Sequence, residues 1–159
     1  MADASIVVPN TSVHSPASRS HQREAINVKP STLAHRAYTS LVLLSGLEPQ
    51  RTIFEQELLQ RFANTQERVL LVRGKVSAPH TVIQRGNITI VPSITDDDLR
   101  TVVQEVHTII ARSGYSTIMD LEALDVLHKA EFHPTPSQSE QEYLAHFFHS
   151  IRRISCLAN

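Results

Sequence analysis

Short apolar runs that alternate with amphipathic segments constrain the fold of this chain more than any other feature. Residues 41–44 read Leu-Val-Leu-Leu and end at Ser45-Gly46, as expected of a strand that is buried on both faces. Similar segments follow along the chain, and the predicted strands are residues 41–44, 68–73, 87–91, 108–111 and 129–133. Residues 75–86, between the second and third of these strands, predict a loop.

The segments between the predicted strands carry helical periodicity. Pro49 opens a first helix, because the N–H that proline lacks is not needed in the first turn. Thr95 followed by Asp98 is an acidic form of the capping box and predicts the start of a second helix. Residues 114–124 predict a third helix, and a fourth begins at Ser137 or Ser139. The predicted inward-facing residues are Ile53, Phe54, Leu58 and Phe62 in the first helix, Leu99, Val102, Val103 and Val106 in the second, and Leu144, Phe147, Phe148 and Ile151 in the last.

Strands that alternate with helices imply right-handed crossovers and a mostly parallel sheet covered on both faces. The predicted fold class is therefore α/β, a doubly wound, Rossmann-like domain that spans residues 38–155 of the 159 in the chain. Residues 1–37 are rich in Ser, Thr, Ala, Pro and His and show no sustained period. They predict a flexible leader or a remnant linker, with a short extended piece at Ile6-Val7-Val8.

Charge and composition argue against several classes of function. Fifteen basic and sixteen acidic residues leave the chain near neutral without a basic face, so nucleic acid is not an expected partner. No apolar run is long enough to cross a bilayer, and the first residues lack the order of a secretion signal. The single cysteine, Cys156, cannot form an internal disulfide, which fits a reducing compartment. We therefore expect a cytoplasmic protein without a transmembrane segment.

The loops that follow the strands are the candidate binding site, because ligands of doubly wound sheets bind beyond the carboxyl ends of the strands. Gly46 and Gly114 lie at strand-to-helix turns, where backbone N–H groups can approach a phosphate. The alternative is that both glycines only make tight turns. The sequence contains neither G-x-G-x-x-G nor a Walker A motif, which argues against the usual dinucleotide and P-loop sites.

Two polar segments can complete a nucleotide site. Ser113 and the amides that follow it lie at a predicted helix start, and Asp120 returns to the same face two turns along. A carboxylate in that position can accept hydrogen bonds from vicinal ribose hydroxyls, although a solvated acidic residue is the alternative. Gln141 and Glu142 lie just after a turn-forming segment, where they can reach sugar hydroxyls or serve as ordinary helix-start residues.

These segments carry a resemblance to a known family. Residues 111–121 read Ala-Arg-Ser-Gly-Tyr-Ser-Thr-Ile-Met-Asp-Leu, and residues 134–145 read Pro-Thr-Pro-Ser-Gln-Ser-Glu-Gln-Glu-Tyr-Leu-Ala. In combination they resemble the C-terminal domain of the glycosyltransferase 28 family. Residues 43–52, which read Leu-Leu-Ser-Gly-Leu-Glu-Pro-Gln-Arg-Thr, are similar to the opening of the same domain. The resemblance covers residues 39–150.

The resemblance implies the donor-binding half of a GT-B glycosyltransferase, with a UDP-sugar, UDP-N-acetylglucosamine by the same resemblance, as substrate. It implies that the backbone at Ile94 holds the uracil and that Asp120 binds the ribose hydroxyls. Residues 113–117 would then face the diphosphate, Ser45 and Gly46 would lie in the loop that approaches the diphosphate and the acceptor, and Gln141 and Glu142 would contact the sugar. The donor-binding residues predicted in this way are Ser45, Gly46, Ile94, Arg112, Ser113, Gly114, Tyr115, Ser116, Thr117, Asp120, Gln138, Gln141 and Glu142.

The same resemblance implies that half of the enzyme lies elsewhere. In two-domain enzymes of this type the catalytic base comes from the acceptor-binding domain, so no residue here is assigned as the base and the isolated chain is expected to be inactive. An acceptor-binding domain or subunit is the expected partner, and neither a cofactor nor a metal is expected. Asp96-Asp97-Asp98 contains a D-x-D pattern, but the residues fill a predicted first helical turn, where carboxylates are stabilised by the dipole. The rival function is an α/β interaction module that has lost its ligand.

Overall fold

The computed structural model describes residues 24–26, 37–75 and 81–155, with the side chains of residues 37–75 and 81–150. The strands of this part of the chain are β1 (Glu24–Ile26), β2 (Ser40–Leu43), β3 (Val69–Val72), β4 (Val82–Arg85), β5 (Ile88–Val91), β6 (Thr108–Arg112) and β7 (Ala130–His133). The helices are α1 (Gln50–Phe62), α2 (Asp96–Glu105), α3 (Tyr115–Ala123) and α4 (Ser139–Ser155), and a 3₁₀ turn (Leu127–Lys129) precedes β7.

All seven strands form one sheet in the order β1-β4-β5-β3-β2-β6-β7. The five strands from β5 to β7 are parallel, and Ser40 of β2 is in register with Val69 on one side and Thr108 on the other. Strands β4 and β1 run antiparallel at one edge. The chain leaves β2 toward β3 and later returns to the other side of β2 with β6, which is the arrangement of a Rossmann-like sheet. The predicted α/β class with a mostly parallel sheet is confirmed.

Two apolar clusters cover the two faces of the sheet. Leu41 and Val42 are both fully buried and belong to different clusters, because successive side chains of a strand point to opposite faces. Helix α1 covers one face, while α2 and α3 cover the other. Because these strands are buried on both faces, their sequences are continuous apolar runs. No described helix is both long enough and apolar enough to cross a membrane.

The helix starts and inward faces largely follow the predicted pattern. Thr95 caps α2, and its side-chain oxygen accepts a hydrogen bond from the backbone N–H of Asp98 at 3.2 Å. Asp96-Asp97-Asp98 fills the first turn of that helix, as predicted. In α1 the buried residues are Phe54, Leu58 and Phe62, which are spaced by four. Ile53 and Phe147 were predicted to face inward, and this is wrong: Ile53 lies beside that stripe and is 42% exposed, and Phe147 in α4 is 45% exposed.

The loop predicted for residues 75–86 is wrong in its second half, which contains β4. Gly86-Asn87 is a two-residue turn with Gly86 at φ +59, and it pairs β4 with β5 as a hairpin. The side chain of Thr89 donates to Gln84 across this pair at 2.9 Å. Two β-branched residues followed by a Gly-Asn turn are the sequence signal for such a hairpin. Val82-Ile83 and Gly86-Asn87 provide this signal.

Strand β1 lies within the segment predicted as a leader and pairs with β4 through three residues. The leader therefore adds a strand to the sheet, which the sequence analysis did not anticipate. The extended piece predicted at Ile6-Val7-Val8 lies outside the described residues. The division of the chain at residue 37 stays a prediction.

We expect Gly74→Ala to destabilise the fold more than Gly86→Ala. Both glycines have positive φ, +66 and +59, so a side chain is strained at either position. Only at Gly74 would the added Cβ meet backbone, because it would lie 2.7 Å from the carbonyl oxygen of Leu44. Urea unfolding should show a loss of about 1–2 kcal/mol for Gly86→Ala and about 1 kcal/mol more for Gly74→Ala. Equal losses would contradict the close approach of the two loops.

Candidate functional site

The candidate site lies where the carboxyl ends of β2 and β6 meet. These strands are neighbours, but the chain turns toward β3 after β2 and toward β7 after β6, so the two following loops diverge. In open α/β sheets this switch point leaves a crevice that binds ligands. Ser45-Gly46 follows β2 and Ser113-Gly114 follows β6, so the structure brings these two predicted segments to the same edge.

The loop after β2 exposes its backbone. Ser45 and Gly46 are both solvent-exposed, and Gly46 has φ +92, which glycine adopts without strain. No atom lies within 4 Å of the position of a Cβ on Gly46. The space beside this turn is therefore open to a ligand in the crevice.

The N-terminus of α3 is the second open feature of the crevice. Gly114 is the N-cap residue and has no side chain to cap the helix, and the first turn contains no acidic residue. Tyr115 and Ser116 are exposed, and Thr117 is half-buried. The N–H groups of a first helical turn lack partners inside the helix, so this end of α3 can bind an anion.

Asp120 and Ile94 lie further from this point. Asp120 is exposed on α3 and makes no side-chain hydrogen bond or ion pair within the described part of the chain. It lies about 7.5 Å along the helix from Tyr115, at 1.5 Å per residue. Ile94 follows β5, and its half-buried side chain packs on the α2 face of the core. Since β5 is three strands from β6, a ligand that contacts both loops must span about 14 Å.

Arg112 is buried and binds protein groups, although the sequence predicted it as a donor-binding residue. It is 6% exposed, and its guanidinium carbon lies 4.0 Å from the centre of the Phe54 ring. One terminal nitrogen donates to the carbonyl of Pro134 at 2.6 Å and the other to the carbonyl of Gln50 at 3.4 Å. Burial lowers the pKa of Arg112 below its usual value. This side chain therefore joins β6, α1 and the loop after β7.

Ser113 is also withdrawn from the crevice. Its side chain is fully buried, and its hydroxyl donates to the carbonyl of Gln141 at 2.7 Å. Its backbone N–H donates to the carbonyl of His133 at 3.4 Å. The hydroxyl therefore anchors the first turn of α4, and the donor-binding role of Ser113 stays a prediction.

The loop between β7 and α4 is held by its own side chains. The amide oxygen of Gln141 accepts from the backbone N–H of Thr135 at 2.9 Å, and its nitrogen donates to the side chain of Gln138 at 2.6 Å. Ser137 has φ +68, a conformation that a non-glycine residue rarely adopts. Of the donor-binding residues predicted in this segment, which are Gln138, Gln141 and Glu142, only Glu142 has no side-chain bond to another described residue.

Glu48, which the sequence analysis did not assign to a role, occupies the N-terminus of α1. Its carboxylate accepts hydrogen bonds from the hydroxyl of Thr52 at 2.6 Å, from the backbone N–H of Thr52 at 3.1 Å and from Arg51 at 2.8 Å. The Nζ atom of Lys75 is 3.7 Å away. The hydrogen bonds from Thr52 and Arg51 lower the pKa of Glu48 to about 2. The only hint of this contact in the sequence was the position of an acidic residue just ahead of the predicted first helix.

A second group that the sequence analysis missed joins β7 to α1. Glu131 accepts hydrogen bonds from Arg61 at 2.6 Å and 3.1 Å, and its Oε1 atom lies 2.8 Å from Nε2 of His133. Hydrogen bonds from His133 and then Arg61 lower the pKa of Glu131 to about 2. The ring of His133 packs on Phe54 with the ring centres 5.3 Å apart. Arg61 and Glu131 are seventy positions apart, so no local pattern indicates the contact.

The described residues contain no group of three His, Cys, Asp or Glu side chains that could hold a metal ion. His146 and His149, three apart on α4, are both exposed. Comparisons of the chain with protein-family models, curated proteins and solved structures give no match.

We expect Ser113→Ala to lower the free energy of unfolding by about 1–2 kcal/mol, because the carbonyl of Gln141 loses its buried donor. Ser116→Ala, at an exposed position in the first turn of α3, should change it by less than about 0.5 kcal/mol. Chemical denaturation measures both values. A neutral Ser113→Ala variant would show that this hydroxyl does not anchor α4.

Arg61, Glu131 and His133 form a cluster, the Glu131 cluster, that should make the free energy of unfolding depend on pH between about 4.5 and 2. The pKa of Glu131 falls from its ordinary 4.5 to about 2 on folding, so the cluster contributes stability above about pH 4.5 that is lost as the pH falls toward 2. The difference in unfolding free energy between wild type and Glu131→Gln should therefore be largest near neutral pH and shrink across this window. Glu122→Gln, at an exposed acidic position, is the control. A difference that does not vary with pH would contradict the prediction.

Proposed function

We propose that this chain is the donor-binding half of a GT-B glycosyltransferase similar to the glycosyltransferase 28 family. It binds a UDP-sugar, UDP-N-acetylglucosamine by that resemblance, and transfers the hexosyl group to an acceptor hydroxyl together with an acceptor-binding domain or subunit. The proposal is carried by one observation, the open N-terminus of α3 at the switch point of the sheet.

The charges at the helix starts support this assignment. Three of the four described helices have a carboxylate at the N-terminus: Glu48 at α1, three aspartates at α2, and Glu140 and Glu142 at α4. Helix α3 has none, and its N-cap is a glycine. A helix N-terminus without its own anion stabilises a negatively charged ligand, and a diphosphate leaving group needs that stabilisation as its bond to the sugar breaks.

The remaining donor contacts in this proposal are those that the resemblance implies. A diphosphate at the start of α3 leaves the exposed carboxylate of Asp120 to bind ribose hydroxyls along the side of the helix. The backbone at Ile94 holds the base on the other side of the crevice. Glu142 is the exposed candidate for a sugar contact, whereas Gln138 and Gln141 shape the loop that presents it.

Exposed apolar side chains support a partner at this end of the molecule. The large apolar residues exposed among those described are Leu47, Ile53, Tyr115, Met119, Tyr143 and Phe147. Leu47 lies in the loop after β2, and the others lie between the first residue and the middle residue of a helix that begins at the carboxyl edge of the sheet. Apolar residues that gather around a polar site are typical of a surface that another domain covers.

An interaction module without a ligand is the second candidate function, and specific contacts favour it. The hydroxyl of Ser113 and the side chain of Gln141 bond to protein groups, and Glu48 occupies the N-terminus of α1. In that case the carboxyl edge of the sheet binds a protein and no nucleotide.

Titration of the chain with UDP and with UDP-N-acetylglucosamine, followed by NMR, separates the two functions. We expect saturable shifts at Ile94 and at residues 113–120. Asp120→Ala should weaken UDP binding by about 1–3 kcal/mol, because the ribose hydroxyls lose a charged acceptor. Glu122→Ala, two residues along the same helix and therefore on a different side, should leave the affinity unchanged. No saturable shift at millimolar nucleotide would reject the donor site in favour of the interaction module.

A further inference from the structure

A groove runs between the second half of α1 and the hairpin of β4 and β5. Its volume is about 880 Å³, which is within the range of ligand-binding cavities. The turn Gly86-Asn87 lies just ahead of Ile88, which is in register with Val69, the first residue of β3. The groove therefore lies toward the amino edge of the sheet, away from the crevice. The chain has no described helix between β3 and β5 that could pack beside α1 here.

The side chain of Asn87 holds the two walls of this groove together. Its amide nitrogen donates to the carbonyl of Phe62 at 3.1 Å and to the carbonyl of Glu67 at 2.6 Å, so the turn of the hairpin is tied to the end of α1. The amide nitrogen of Gln84 donates to the carbonyl of Gly86 at 2.8 Å and steadies the turn itself. The groove is therefore formed before a ligand enters it, which lowers the cost of binding.

Four polar side chains that line the groove make no hydrogen bond or ion pair with another described residue. They are Gln56, Gln60, Asn64 and Arg85, and all four are exposed. Arg85 is the only charged residue among the described residues of the lining. Because a primary amide both donates and accepts hydrogen bonds, a complementary ligand carries donors, acceptors and one negative charge. We call this lined space the amide groove.

The spacing of the amides favours a peptide over a small anion. Gln56 and Gln60 are one turn apart, about 6 Å along α1, and Asn64 continues this row just past the end of the helix. In an extended peptide, backbone groups that point to the same side repeat every two residues, which is about 6.6 Å. The row therefore matches the repeat of an extended backbone, and a small anion would leave most of it unused. Leu59 and Ile88, which also line the groove, offer apolar contact to peptide side chains.

We propose that the amide groove binds an extended acidic peptide segment of another protein. The backbone of the peptide bonds to the side chains of Gln56, Gln60 and Asn64, and a carboxylate of the peptide pairs with Arg85. The peptide adds no strand to the sheet, because β1 already pairs with β4 at this edge. The inference does not rest on the UDP-sugar site proposed above, which lies at the carboxyl edge of the sheet.

The test titrates the full chain with a pentapeptide that is acetylated and amidated at its ends. The peptide has glutamate at its centre, leucine on either side and alanine at each end, and the matched probe has glutamine in place of the glutamate. We expect saturable NMR shifts of the side-chain amides of Gln60 and Asn64. The glutamate peptide should bind about twofold to fivefold more tightly, which is the range for an exposed ion pair. High salt should reduce this preference, because it screens exposed charges.

Variants at exposed positions assign the contacts without disturbing the core. Arg85→Gln should bind the two peptides equally, because the carboxylate loses its partner. Arg100→Gln, at an exposed position of α2 on the other face of the sheet, is the matched control and should keep the preference for the glutamate peptide. Gln60→Ala should weaken both peptides by the same factor, because it removes a contact to the backbone.

Three outcomes would overturn the proposal. One is that wild type binds the two peptides equally, and another is that millimolar peptide produces no saturable shift. The third is that N-acetylglutamate shifts Arg85 as strongly as the peptide does while neither probe shifts Gln60 or Asn64, which would make the groove a simple anion site. UDP binding by Arg85→Gln should equal that of wild type, so the peptide site and the donor site can fail separately.

Discussion

A buried guanidinium fixes the sheet edge on which the rest of the structure depends. Arg112 lies on the face of Phe54 and donates to the carbonyls of Pro134 and Gln50, so one side chain joins β6, the loop after β7 and the start of α1. Its charge meets an aromatic face and two carbonyl dipoles, which partly offset the cost of burying a cation. Without these contacts, no bond from this side chain would join β6, the loop after β7 and the start of α1, which frame the crevice.

The helix N-termini around this edge differ in what they can still bind. The start of α1 holds the carboxylate of Glu48, whereas the start of α3 has neither a capping side chain nor an acidic residue. The electrostatic effect of a helix end falls off within its first turn, so each end acts almost independently. The crevice is therefore asymmetric, and an anion placed in it is attracted toward the β6 side.

Sequence patterns predicted what depends on local periodicity and missed what depends on distant partners. The parallel strands and the Thr95 cap follow from spacing alone, and the hairpin of β4 had a readable Gly86-Asn87 signal that went unused. No local pattern places Arg112 on Phe54 or His133 beside Glu131, because these contacts join segments that only the folded sheet brings together. The sequence therefore predicted that the site residues lie at one edge of the sheet. It could not predict which of them are exposed or which side chains they bond to.

The antiparallel edge of the sheet has a consequence for local opening. Strands β4 and β5 form a hairpin without a described helix between β3 and β5, and among the described residues the helix side chains in the core cluster on the α1 face all belong to α1. Strand β2 is buried and is paired on both sides, so its amide hydrogens should exchange with solvent only when much of the core opens, whereas β1, paired through three residues, can detach by itself. The β1 edge of the sheet should thus open more readily than the interior strands β2 and β6, which lie beside the crevice.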